Sequence, residues 1–206
     1  MRSFHCVACA LAGLCLLVAS GYAPALWAPA VEPVVYQIDP EHSTVQFKVR
    51  HLGLATVTGQ FNRFAGTFSY DPARPAATTV TATIDVASVD TDNERRDTHL
   101  RSEDFFFADS FPTITFASRR VVKTGDEDFA VHGDLTIRGV TRPVVLEVEL
   151  VGTGRTGGGA VAIGFEAETE INRKDYGLVW NRAIETGGWL VGDDIRILLE
   201  IEATGS

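Results

Sequence analysis

Apolar and polar residues alternate with a period of two over most of this chain. In the segment 43–50, STVQFKVR, Val45, Phe47 and Val49 share one face while Thr44, Gln46 and Lys48 share the other. The segment 79–87, TVTATIDVA, repeats the pattern with Val80, Ala82, Ile84 and Val86. Six further segments behave alike, near 61–70, 113–122, 128–137, 144–151, 160–171 and 194–201. In 160–171, for example, Val161, Ile163, Phe165, Ala167 and Ile171 oppose Glu166, Glu168 and Glu170. One apolar and one wet face is what antiparallel strands present. The connections DPARPAA, KTGDED, RGVTRP and GTGRTGGG are short and rich in turn formers, with no room for a crossover helix. Eight strands therefore follow one another as neighbours in a meander. Periodicity leaves open whether that meander stays flat, folds into a sandwich or closes into a barrel.

Two segments break the alternation. The first, 90–112, DTDNERRDTHLRSEDFFFADSFP, is densely charged and then aromatic; the second, 172–194, NRKDYGLVWNRAIETGGWLVGDD, is rich in glycine and tryptophan. Both are too long for hairpin turns, and long connections in an economical domain are where ligand sites concentrate. Thr91 and Glu94 have the spacing of a capping box, which predicts a short helix over 92–100, with Asp97 and Arg101 placed as an i,i+4 ion pair. Leu100 is the only strongly apolar residue of that helix, so the helix depends on the phenylalanines that follow it. Burial of each is worth roughly 1.5–3 kcal/mol. The segment then reads as a surface helix anchored by core aromatics, as a lid across one end of a barrel with an apolar cavity beneath, or as both at once.

Aromatic and aliphatic residues supply a wall for such a cavity. Phe47, Phe61, Phe64, Phe68, Ile84 and Phe116 come from strands, and Phe105, Phe106, Phe107, Tyr176 and Trp180 from the two long connections. These eleven are the candidate apolar lining. Asn93, Arg96, His99 and Arg101 are the candidate polar collar that receives a head group; the competing role for each is bonding to nearby loop groups. An eight-stranded barrel is just wide enough to be filled by its own side chains or to hold one small ligand.

At the amino terminus, Arg2 precedes an uncharged, mostly apolar run over 6–19, and Gly21 and Ala23 stand where a signal peptidase needs small residues. This predicts a signal peptide over 1–23, cleaved after Ala23 or alternatively after Gly21, then a proline-rich tether over 24–34 and a domain over 35–203. The run is too short for a convincing membrane span. Cys6, Cys9 and Cys15 all lie inside the leader, so the exported domain has neither disulfide nor thiolate. Cys15 follows Leu14 rather than a small residue, which argues against a lipid anchor. The formal charge of −9, one unit more negative once Arg2 is removed, opposes nucleic-acid binding and adsorption to anionic headgroups.

Recognisable catalytic chemistry is sparse. His42, His51, His99 and His132 form no close ligand pair and no HExxH pattern; His99, beside Asp97 and Glu103, is the first place to look for a metal. No GxSxG elbow occurs, and the glycine-rich GTGRTGGG leads into a strand rather than a helix. The pairs Glu147 with Glu149 and Glu168 with Glu170 alternate with apolar residues, as solvated strand positions do. No enzyme and no metal or other cofactor is predicted.

The blocks YQIDPEHSTVQFKVRHLG, GQFNRFAGTFSYDP, VDTDNERRDTHLRSEDFFFADSFPTITF, GDLTIRGVTRPV and INRKDYGLVWN resemble the YceI-like polyisoprenoid-binding proteins of the bacterial periplasm. The resemblance runs from Tyr36 to Ala203. It implies an all-β fold: an extended eight-stranded antiparallel lipocalin-like barrel with a short helical segment near one end. Gly59, Phe61, Phe64 and Gly66 would belong to the early hairpin, and Tyr176 stands where phenylalanine is common. The implied function is an exported, periplasmic or secreted binder whose interior takes a long-chain isoprenoid, of quinone or prenyl type, or another apolar lipid. The implied partners are that lipid, with transient contact to a membrane or to a redox or lipid-handling protein, and no nucleic acid. Two readings compete: a solid structural or protein-interaction barrel, and an enzyme acting on a bound lipid.

Overall fold

The structure is a computed structural model that describes residues 33–183, 185 and 187–205. The expected signal peptide, its three cysteines and most of the expected tether lie outside these residues. Eleven strands form: β1 (Val34–Ile38), β2 (Thr44–His51), β3 (Ala55–Phe61), β4 (Phe64–Tyr70), β5 (Thr79–Asp85), β6 (Val89–Asp90), β7 (Thr113–Lys123), β8 (Asp128–Ile137), β9 (Val140–Arg155), β10 (Val161–Asn172) and β11 (Val191–Gly205). Among the described residues one α-helix, α1 (Glu94–Arg101), interrupts them. The expected tether ends earlier than its last residues, since Val34 already opens β1 and pairs with Tyr70.

The eleven strands make an eight-stranded closed barrel because three wall strands are broken. β1 and β2 lie in succession along β11, pairing Ile38 with Ala203 and Thr44 with Glu200. β4 then pairs with β1 and β3 with β2, while β5 pairs with β4 and β6 with β3. The sheet continues β5–β7–β8–β9–β10–β11 and closes on β1, antiparallel throughout. The meander read from the alternation is therefore the topology. The segment 61–70, expected as one strand, is instead the end of β3 and all of β4.

Short polar side chains patch the breaks where ladder bonds are missing. Between β1 and β2, Ser43 accepts the Glu202 amide at 3.0 Å and donates to the Glu202 carbonyl at 3.1 Å, a carbonyl that also accepts from the Asp39 amide. Between β3 and β4, the Arg63 amide donates to the Ser88 hydroxyl at 3.0 Å. Between β5 and β6, Asp85 caps the single 3-10 turn Val86–Ser88 by accepting from the Ala87 amide at 2.8 Å. Buried backbone polar groups need such partners, which is why these positions are serine and aspartate.

The alternation places the core inside. In β8 every second residue, Phe129, Val131, Gly133, Leu135 and Ile137, is buried. β9 starts four residues earlier than expected and runs past Val151, whose 61% exposure follows from a bulge opposite Gly164 and Phe165 that turns it outward. Buried side chains gather in two clusters, one around Phe61, Phe105 and Leu178 and the other around Phe68, Phe129 and Ile163, with Phe64 and Phe116 packed against both.

Candidate functional site

Between and through these clusters runs a cavity of ≈ 270 Å³ with an apolar wall. Along β8 its wall extends from Phe129 to Ile137, eight residue steps or roughly 25 Å at strand rise. So modest a volume over such a length describes a narrow shaft. Its walls come from every long strand because each contributes its inward-facing alternate residues: Val45 and Phe47 from β2, Val144, Leu146 and Val148 from β9, Ile195, Ile197 and Leu199 from β11.

The sequence candidates divide cleanly. Phe47, Phe61, Phe64, Phe68, Ile84, Phe105, Phe106, Phe116 and Tyr176 all line the shaft. Phe107 and Trp180 do not. Phe107 takes a positive φ of 53° in the turn after the helix, which sends its ring to Phe111 at 6.1 Å instead of inward with its two neighbours. Trp180 packs outside Phe105, at 5.2 Å, and against the His99 ring at 4.7 Å.

The charged helix is built differently from the expected capping box. Asn93, not Thr91, is its N-cap, accepting the Arg96 amide at 3.0 Å, so the helix covers 94–101 rather than 92–100. Thr91 is buried, and both its amide and its hydroxyl donate to the buried Asp97 carboxylate, at 3.0 and 2.5 Å. That carboxylate is thereby taken, and Arg101 pairs with Glu94 at 2.9 Å instead of with Asp97.

The four collar candidates are occupied in the same way, and none of them lines the shaft. Asn93 caps; Arg96 donates to the Thr91 hydroxyl and carbonyl, both at 2.6 Å; Arg101 holds Glu94. His99 bonds Asp104 at 2.9 Å, and its ring lies edge-on between Phe105 and Trp180. The helix thus works as a clamp for the aromatic turn: Leu100, Phe105 and Phe106 reach the shaft while the polar side chains tie down the outside.

Three arginines that the sequence reading did not single out hold the second long connection. Arg173, only 3% exposed, donates to the carbonyls of Leu178, Trp180 and Gly192 and pairs with Asp193 at 3.0 Å. Burial pulls its pKa down while Asp193 opposes the shift. Arg138, in the β8–β9 turn, bridges the Phe105 carbonyl at 3.0 Å and the Gly177 carbonyl at 3.2 Å, so one side chain latches both long connections. Arg142 adds a bond to the Asp175 carbonyl at 3.2 Å. Gly177 ends the 3-10 turn Arg173–Tyr176 at φ 77°, a left-handed conformation glycine takes without strain. Most partners of these arginines are backbone carbonyls, whose positions no side-chain spacing in the sequence reveals.

Two polar features complete the site. Tyr176 is 2% exposed and its hydroxyl has no partner among the described residues; burial pushes its pKa up to about 12. Asp39, His42 and Glu202 form a group of three potential metal ligands, within 4.8 Å of one another among the described residues, at the β1–β2 break. None of the three lines the shaft, and His99 belongs to no such group among the described residues.

Comparison with known proteins agrees with this architecture. The profile of the YceI-like domain matches residues 36–203. Protein YceI of Escherichia coli O17:K52:H18 is 46% identical over 145 residues, 69% of this chain and 75% of its own. The crystal structure of Burkholderia cenocepacia BcnA is similar at a TM-score of 0.70 and 26% identity, covering 81% of this chain and 99% of that one. A polyisoprenoid binding domain from Saccharophagus degradans, implicated in plant cell wall breakdown, is similar at a TM-score of 0.62, covering 83% of this chain and 98% of that one; its 15% identity speaks for the shared fold alone.

Proposed function

Because the chain belongs to the YceI-like family, we propose that it is an exported, periplasmic or secreted binding protein that carries or stores a polyisoprenoid, of quinone or prenyl type, or a similarly long apolar lipid within the barrel. The observation that carries this reading is the shaft itself: a thin apolar channel of ≈ 270 Å³ spread along most of β8. A compact ligand would leave most of that length empty. A slender chain can contact all of it.

The energetics favour carriage over chemistry. Each buried methylene gains about 0.8 kcal/mol relative to water, so a long chain would nominally exceed the ceiling on non-covalent affinity near −18 to −21 kcal/mol. Its real alternative is a bilayer, which is equally apolar. Loading is then close to an exchange, and the groups at the mouth of the shaft govern its rate. The Saccharophagus domain that shares the fold is a polyisoprenoid binding domain, which accords with this reading.

Native mass spectrometry of the purified protein, followed by solvent extraction, tests the reading. The expected result is an isoprenoid that co-purifies or exchanges into the empty protein. A protein that takes up none of a panel of quinones, prenols and fatty acids overturns it and favours the solid interaction barrel.

A further inference from the structure

We infer that the β2–β3 hairpin tip and the chain entering β11 together form a docking surface for a lipid bilayer, through which the guest passes between membrane and shaft. This inference rests on the lipid-binding reading above and adds to it the place of exchange. Large exposed apolar side chains elsewhere among the described residues are all valines, on β1 and β9. Here they are Leu52 (37% exposed), Leu54 (83%), Val179 (64%) and Trp189 (59%).

The backbone makes one surface of them. The Leu52 amide donates to the Leu190 carbonyl at 2.9 Å, joining the hairpin tip to the residue after Trp189. His51 pairs with Val191 at the next level down. Arg173 binds the carbonyls on either side of Val179, those of Leu178 and Trp180, together with the carbonyl of Gly192, so Val179 is held beside the same strand start.

Continuity with the shaft identifies the occupant. Val191 lines the shaft and also the surface groove that holds Leu52 and Trp189. Val49, Leu178 and Ile195 line the shaft at the same end, so exposed apolar groups stand directly beyond its last inward-facing residues. A water-insoluble guest has a membrane as its reservoir; tryptophan suits the headgroup level and leucine the acyl boundary beneath it.

Charge is locally permissive although the chain as a whole carries −9. Arg50 lines the groove, and the one carboxylate in it, Asp193, is already paired with Arg173 and Lys174. The overall negative charge keeps the contact brief, as exchange requires.

Transfer from phosphatidylethanolamine–phosphatidylglycerol vesicles containing an isoprenoid quinone, followed beside vesicle co-sedimentation, tests the inference with wild type and Leu54→Asp/Trp189→Asp. Both positions are solvent-exposed, so the variant is expected to fold with an unchanged Tm. It should bind vesicles and acquire quinone at least tenfold more weakly and slowly, yet reach wild-type occupancy when loaded from detergent micelles. Equal vesicle binding and transfer by the two proteins overturns the inference, as does a wild-type protein that loads from detergent but ignores vesicles; both leave the lipid-binding reading intact. If wild type sediments with vesicles through these residues but never takes up an isoprenoid from any source, the carrier reading fails and the exchange route falls with it, leaving a membrane contact alone. A wild-type dimer that the substitutions split to monomers assigns the patch to a second copy and overturns membrane docking.

Discussion

At the scale of single residues, Tyr176 brings a buried hydroxyl without a partner into the shaft wall, as Thr78 does among the described residues. A buried hydroxyl without a partner costs about 1–3 kcal/mol in lost hydration, and the ring alone would serve as lining. Tyr176→Phe is therefore expected to raise the stability of the guest-free protein by about 1 kcal/mol or more in urea unfolding; a loss of stability would show that the hydroxyl has a partner after all. The same burial sets an alkaline limit. With the folded pKa near 12 and an unfolded value near 10, the neutral phenol's contribution is complete below pH ~10 and is lost as pH rises toward ~12. Part of the alkaline destabilisation seen by thermal melting across that window should disappear in Tyr176→Phe. The unpaired hydroxyl was invisible in the sequence, because whether a tyrosine finds an acceptor depends on three-dimensional surroundings.

At the scale of elements, the helix shows how a correct reading of composition can still miss the bonds its charges make. Its charges looked like a collar for a head group, yet Arg96 spends its donors on Thr91, which in turn satisfies the buried Asp97. Arg96→Ala is expected to cost about 0.5–1.5 kcal/mol for the lost hydrogen bonds and to leave lipid head-group preference unchanged in a competition assay. A changed preference with unaltered stability would return Arg96 to the collar. The strands were more legible than the helix because alternation reports burial directly. β8, with its strict inward series from Phe129 to Ile137, needed nothing beyond its pattern. The breaks in three wall strands were not legible, since Ser43 and Ser88 read as ordinary polar residues until the opposing backbone at Glu202 and Arg63 comes into view. Phe107 departs from its neighbours for a related reason: its left-handed φ reverses the direction they take.

At the scale of the whole molecule, a closed barrel with a thin internal void is a compromise between packing and capacity. Filling the void would strengthen the empty protein, because apolar cavities forgo dispersion contacts and destabilise in proportion to their volume. A chain under selection for stability alone has small residues at hand to enlarge. Ala82 and Ala167 both face the shaft. Ala167→Phe separates the carrier from the solid barrel, because the two readings predict opposite signs. If the shaft is space kept for a guest, the added ring enters it, the guest-free protein is unchanged or more stable, and uptake of long isoprenoids falls at least tenfold while short-chain prenols still bind. If the interior is already filled in solution by rearranged side chains, the same ring overpacks it and costs about 1–3 kcal/mol. Urea unfolding beside a chain-length series of prenol uptake reads both quantities, and a destabilised variant with no change in uptake would end the case for a reserved channel.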